Sequence, residues 1–448
     1  MKSIFIKLFT LLCVFSIVSC NDDDNKEGVS YDPSKPVALT SFYPDSGRVA
    51  EKVILDGENF GSDPSKIAVY FNNKKASVVG STGKRMYVVV PRLPGDTCTV
   101  SVKVGDNANP VLGKDSVVFD QTFRYQISVS VKTIAGNGTE KYENTGTPAE
   151  TTIKPAYIDV DKDNNVFVVF FQPSPNGWGV TRINEEENTV ETIVAPGSIS
   201  GFQPMVPGID KETGIVSIPS DHVREVYYTF DPKDAWAPKL RRFRYKAGTT
   251  DLPTNAWKKA IVSSPLDGNL YYHHQNGHIF RANPITYEAE LIGKAPACDC
   301  YGMAFHPLKP NLLYFSFDGG GGAYQNSICC MDVTDSIPFS TFMKLSGPTA
   351  GGFRDGELSV SQFKSPRQIQ FDKEGNLYVA DNGNHCIRRI STDNIVETVL
   401  GIPGSAGKEN GGKEDARFNS PWGLCVREDG SIYVADYGNS LLRKLTIE

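Results

Sequence analysis

The chain has 448 residues, of which 22% are charged and 40% hydrophobic, and its net charge is −6. That length implies more than one domain. The acidic balance excludes nucleic acid as a partner, because a phosphate backbone favours a basic patch.

The first segment reads as a leader. Lys2 and Lys7 supply a positive start, and the apolar run from Leu8 to Val18 is shorter than the roughly 20 residues a membrane-spanning helix needs. Ile17-Val18-Ser19-Cys20 resembles a bacterial lipobox. The resemblance implies removal of residues 1–19 and acylation of Cys20, which would hold the protein on outer-membrane lipid. Asn21-Asp22-Asp23-Asp24 follows and is similar to the surface-export signal of some Gram-negative lipoproteins, so the expected location is the outer membrane, facing outward. An ordinary signal peptide on a secreted protein is the alternative. Residues 20–36 are polar and without apolar periodicity, and they read as a flexible tether.

Residues 37–126 carry short β-rich runs: Val53-Ile54-Leu55, Ile67 to Phe71, Met86 to Val90 and Val100 to Val104. Gly, Pro, Asn and Asp punctuate them, which predicts a β-sandwich. Tyr43-Pro44-Asp45-Ser46-Gly47 and Val53 to Gly61 resemble the opening of an IPT/TIG immunoglobulin-like domain. Such domains most often serve as spacers.

Residues 127–448 are repetitive. Ser365-Pro366 through Asp381-Asn382-Gly383-Asn384 returns, 55 residues later, as Ser420-Pro421 through Asp436-Tyr437-Gly438-Asn439. A unit of that length cannot bury its own apolar face, so it must stack on copies of itself. Six aromatic strands mark the copies, around Phe167, Tyr227, Tyr271, Tyr314, Tyr378 and Tyr433. Each interval has room for four short strands, so the expectation is a six-bladed β-propeller. Asp381 and Arg388, like Asp436 and Arg443, read as pairs that tie strands within a blade. Val131 to Gly136 matches Val396 to Gly401, the strand that ends a blade, whereas the last copy stops after Leu445 without one. The first strand of the region is therefore expected to close the ring, which would remove two exposed edges. Pro-x-x-Ile, Gly-Asn-Leu-Tyr-Val-Ala-Asp-x-Gly-Asn and Ile-Arg-Arg-Ile together resemble the NHL repeat. The fold class expected is all-β: an IPT/TIG-like sandwich followed by a six-bladed NHL-like propeller.

Chemistry-bearing motifs are few. There is no Gly-x-Ser-x-Gly elbow, His-Glu-x-x-His or phosphate loop, and no catalytic residue, cofactor or metal is assigned. Asp159-x-Asp161-x-Asp163 lacks the Gly and terminal Glu of a calcium loop and reads as a turn. His273, His274 and His278 share one short hairpin, unlike the ligands of the amidating lyase with this fold, which come from different blades. Of seven cysteines beyond Cys20, most read as small buried strand residues, with one bridge between the 298/300 and 329/330 pairs left open.

The aromatic residues point to a ligand. Trp422 follows the Pro that opens an innermost strand, Arg367 holds the same place one blade earlier, and Tyr301 does so in the fourth blade. Those positions recur around the mouth of a propeller channel, where an aromatic platform with polar neighbours can hold a sugar ring; the other reading is packing between blades. Trp178 and Trp236 sit in Pro/Gly-rich segments, which favours exposure. The candidate ligand-binding residues are therefore Trp422, Tyr301, Arg367, Trp178 and Trp236. The chain also resembles the accessory lipoproteins of glycan-import systems. That resemblance implies non-catalytic capture of a polysaccharide or oligosaccharide for a partner transporter. A propeller lyase or hydrolase, or a protein-binding scaffold, are the alternatives.

Overall fold

A computed structural model describes residues 29–92, 97–105, 116–173, 177–221, 223–254, 257–319, 322, 324–334 and 341–447. The leader, Cys20 and His222 lie outside the described residues. The chain divides into two compact units after Ile127.

In the N-terminal unit, alternation decides which side chains go inside. Across Lys52–Glu58 the odd-numbered Val53 and Leu55 are fully buried and their neighbours are not. The same period of two in Arg85–Val89 buries Met86 and Val88. Eight strands form one continuous sheet that folds over on itself, because Lys74–Ser81 pairs with Arg85–Val89 on one side and with Ile67–Phe71 on the other. The enclosed core includes Phe71, Val100, Val102 and Phe123. Of the expected tether, residues 20–28 lie outside the described residues, and from residue 29 onward the chain is bonded to the sandwich. Asn59 takes φ of 64°, and its amide accepts from Asp32 N–H at 2.9 Å and donates to the carbonyls of Asp32 and Lys35. Ser62 N–H donates to the carbonyl of Val29 at 2.7 Å. A polar segment without apolar periodicity can still be ordered when a side-chain amide satisfies its backbone.

The second unit is a ring of six sheets, antiparallel except that Arg244–Tyr245 pairs parallel with Glu288–Lys294 at the edge of the third, numbered here as blades in chain order. The innermost strands are Pro155–Val160, Gly208–Ile209, Lys258–Ser263, Cys300–His306, Pro366–Phe371 and Pro421–Val426. Each contacts the next in sequence, and the last contacts the first. Closure comes from Val129–Ala135, which pairs antiparallel with Leu441–Ile447 and becomes the outermost strand of blade 6. Glu185 of blade 1 fastens this seam, reaching Lys132 of the closing strand at 2.6 Å and Lys444 of blade 6 at 2.8 Å.

Several local readings meet their geometry here. Asp381–Arg388 and Asp436–Arg443 are fully buried ion pairs at 2.8 and 3.0 Å. Asp161 accepts from the backbone of Asp163 and Asn165, as Asp372 does from Asn376, so both segments are Asx turns before a strand. All seven described cysteines are buried free thiols, and the bridge left open above does not form. One blade marker is misplaced. Tyr227 lies in the third strand of blade 2, Val226–Phe230, and the second strand is Val216–Pro219, which has no aromatic. The turn Asp210-Lys211-Glu212-Thr213-Gly214 announces that strand, with Asp210 accepting from Glu212 and Thr213 N–H.

Candidate site at the channel mouth

Five of the innermost strands begin in equivalent register. Pro366 pairs with Asp381, Pro421 with Asp436, Cys300 with Phe317, Lys258 with His274 and Pro155 with Phe170. The residue after that first position is Arg367, Trp422, Tyr301 or Lys259 in four of them and Ala156 in blade 1, so the four large side chains recur at one end of the channel.

They form a continuous layered arc. Lys154 Nζ lies 4.6 Å from the Tyr437 ring centroid, and Tyr437 stacks on Trp422 at 3.6 Å and 8°. The Arg367 guanidinium lies 3.8 Å from Trp422 and 4.5 Å from Tyr301. Lys259 Nζ follows at 5.6 Å from Tyr301 and 5.8 Å from Trp257, which is 49% exposed. Cation and π-system alternate along much of the arc from blade 1 through blades 6, 5 and 4 to blade 3. Tyr157, 1% exposed, packs against this arc from blade 1. Its ring is 5.8 Å from both Tyr301 and Trp422, and its hydroxyl accepts from Arg367 Nη1 at 3.3 Å.

The structure thus brings Trp422, Tyr301 and Arg367 together, but not with the free platform expected. Two groups within 4 Å of one ring centroid cannot share a face. Tyr437 and Arg367 therefore cover opposite faces of Trp422, leaving its edge to the basin. Trp178 and Trp236 are elsewhere. Trp178 is half-buried opposite Phe171, their rings 5.1 Å apart, in the third strand of blade 1. Trp236 is buried, with its ring 4.7 Å from Phe167 and the Arg182 guanidinium 5.7 Å away. The left-handed pair Ala235 and Trp236, φ of 49° and 60°, turns the indole inward after the short turn Pro232–Asp234. A Pro-rich composition marks a loop but not the direction in which its side chains point.

Each of the arc's three cations has a carboxylate partner. Lys259 meets Asp221 Oδ2 at 2.6 Å, Arg367 meets Asp318 Oδ2 at 3.3 Å, and Lys154 pairs with Glu140. Burial pushes the Asp299 carboxyl upward, against the pull of Lys259. Burial likewise raises the phenols of Tyr157 and Tyr301. Three polar atoms here lack a protein partner, Asp221 Oδ1, Asp299 Oδ1 and Arg367 Nε, and so does Asn382 Oδ1, which holds in blade 5 the position of Tyr437 in blade 6. A buried polar atom without a partner costs free energy, so such a group points to a role. No cluster of three or more His, Cys, Asp or Glu able to hold a metal is found among the described residues.

Tyr157, Tyr437, Lys154, Lys259, Asp221, Asp299 and Asp318 were not anticipated from sequence. Two carried a signal: Lys259 occupies the slot of Tyr301 and Arg367, and Tyr437 is the 55-residue counterpart of Asn382. The three carboxylates come from loops without a shared motif.

A β-propeller of NHL repeats preceded by an immunoglobulin-like sandwich is the class this geometry defines. In family terms, residues 36–125 match the IPT/TIG domain, and residues 363–390 and 418–445 match the NHL repeat. Over most of its length the chain is similar to a structural-genomics protein of unknown function from Bacteroides thetaiotaomicron, with TM-score 0.71, 25% identity, and 94% of this chain and 100% of that one covered. An auxiliary nutrient binding protein of the same species has TM-score 0.59 and 24% identity over 94% of this chain and 99% of that one, which shows the shared fold. NHL repeat-containing protein 2 of Gallus gallus is 32% identical over 108 residues, 22% of this chain. The match spans only 15% of that protein's length.

Proposed function

We propose that this is a lipid-anchored cell-surface protein whose propeller binds a polysaccharide or oligosaccharide without cleaving it and presents it to a partner transporter. One observation carries the reading. The channel mouth combines partly exposed aromatic side chains with buried acceptors and a donor that no protein group satisfies. Sugars offer both apolar CH faces and hydroxyls, and small sets of placed polar groups in an aromatic setting are how proteins hold them. The description of a fold neighbour as an auxiliary nutrient binding protein is in keeping with capture.

The test is a glycan panel assayed by retardation in native gels, with product analysis of the same samples. Retardation without product supports capture. Shortened or unsaturated products would favour the lyase or hydrolase alternative, and no retardation by any glycan would favour a protein-binding scaffold.

A further inference from the structure

We infer that the basin selects an uncharged, hydroxyl-rich glycan over uronic, sulfated or amine-bearing ones; this rests on the capture reading above and names its ligand class. Each of the three basin cations has a carboxylate partner: Lys259 with Asp221, Arg367 with Asp318, Lys154 with Glu140. None of these three is left as a dedicated counter-charge for an anionic ligand.

What remains unpaired, on atoms shielded from bulk solvent, is mostly acceptor. Asp221, 8% exposed, keeps one carboxylate oxygen unbonded, Asp299 keeps another, and Asn382 keeps its amide oxygen. Arg367 Nε is the open donor in the basin among the described residues. A sugar hydroxyl donates and accepts, so a run of hydroxyls can meet all four atoms. A sulfate or ionised carboxylate only accepts. It would leave the acceptors unmet and lie beside Asp221, Asp299 and Asp318, where like charges repel strongly in a desolvated setting. An ammonium would suit the carboxylates but would lie beside Lys259 and Arg367. The acceptors come from blades 2, 4 and 5, so the ligand's donors must be spread across the mouth rather than gathered at one point.

The experiment uses the full chain against dextran, galactomannan and xyloglucan as neutral probes, polygalacturonate and dextran sulfate as anionic ones, and chitosan as the cationic one. The expected result is retardation by at least one neutral polymer, at least about tenfold tighter than by any charged one. That affinity should be nearly constant between about 50 and about 500 mM salt, since screening acts on net charge. Asp299→Asn and Asp221→Asn, at unchanged melting temperature, should weaken the neutral polymer by roughly three- to tenfold and narrow the gap to the polyanions. Preference for polygalacturonate, dextran sulfate or chitosan overturns the inference and leaves capture standing. So does neutral binding that ignores both Asp variants. Absence of binding to every polymer overturns capture itself.

Discussion

Among the described residues Arg388 and Arg443 are the largest fully buried side chains; Arg388 is bonded at all three guanidinium nitrogens and Arg443 at both Nη but not at Nε. Arg443 reaches Asp436, the carbonyls of Arg417 and Glu409, and the Asn410 amide, with its guanidinium 5.0 Å from the Phe418 ring. Removing one partner strands a buried charge, so Arg443→Ala should lose about 3–5 kcal/mol in urea unfolding. An equally stable variant would show that the pair is idle. Trp422, held between Tyr437 and Arg367, should behave as a packing residue as well as a rim residue. Trp422→Ala is expected to lower stability by on the order of 3 kcal/mol in addition to weakening glycan; reduced binding with unchanged unfolding would mean that the indole acts on ligand alone. His273 and His274 are buried among Phe315, Phe317, Tyr272 and Phe280, and burial lowers them to about 3 and about 2. The unfolded chain takes up these protons below about pH 6.5 and the folded one does not. Stability should therefore fall as pH drops from 6.5 toward 3, by up to about 1.4 kcal/mol per pH unit for each histidine. His273→Phe should flatten that slope by about one proton, which urea titrations at pH 6 and pH 4.5 would measure.

At the scale of elements, the closing strand decides whether the ring exists. Val129–Ala135 supplies the fourth strand of blade 6, and Val131 also bonds to Gly411 in the preceding loop. Deleting residues 129–136 should leave Leu441–Ile447 as an open edge and give aggregation or loss of a cooperative melt by calorimetry; an unchanged melt would contradict the closure. Glu185 is the polar half of the same seam. Burial alone would raise its carboxyl, yet Lys132, Lys444 and Tyr433 together hold it at about 2. A depressed folded value means stability is present above the ordinary carboxylate range near 4.5 and is lost as pH falls toward 2. Glu185→Gln should cost about 1–2 kcal/mol at neutral pH, given partial solvent screening, and should remove that part of the acid sensitivity. The repeat was legible at this scale because blade turns reuse one chemistry: Asp372 and Asn376 mirror Asp161 and Asn165. Blade 2 was harder to read because its second strand is short and lacks the aromatic marker.

For the whole molecule, the proposed anchoring rests on one residue outside the described range. Cys20→Ala should release the protein from membranes, because acyl chains on that residue are the attachment proposed. Retention of the variant in the membrane fraction at high salt would overturn it. Surface capture further predicts that intact cells deplete a cognate glycan from the medium, and that cells carrying the Cys20 variant do not.

By itself the sequence determined the architecture. A unit repeated at a fixed interval must stack, alternating apolar residues must face a core, and a terminal repeat lacking its last strand must borrow one. Each is a rule of local pattern, readable without coordinates. The same register logic placed Trp422, Arg367 and Tyr301 around one mouth. The tertiary structure alone decided what that mouth offers. Tyr157 packs on Tyr301 and Trp422 from blade 1, Tyr437 and Arg367 occupy both faces of Trp422, and Trp236 turns into the core. The carboxylates Asp221, Asp299 and Asp318 meet there from three different loops. These outcomes depend on distances between side chains far apart in the chain, and hydrogen-bond satisfaction is a property of neighbours in space rather than in sequence.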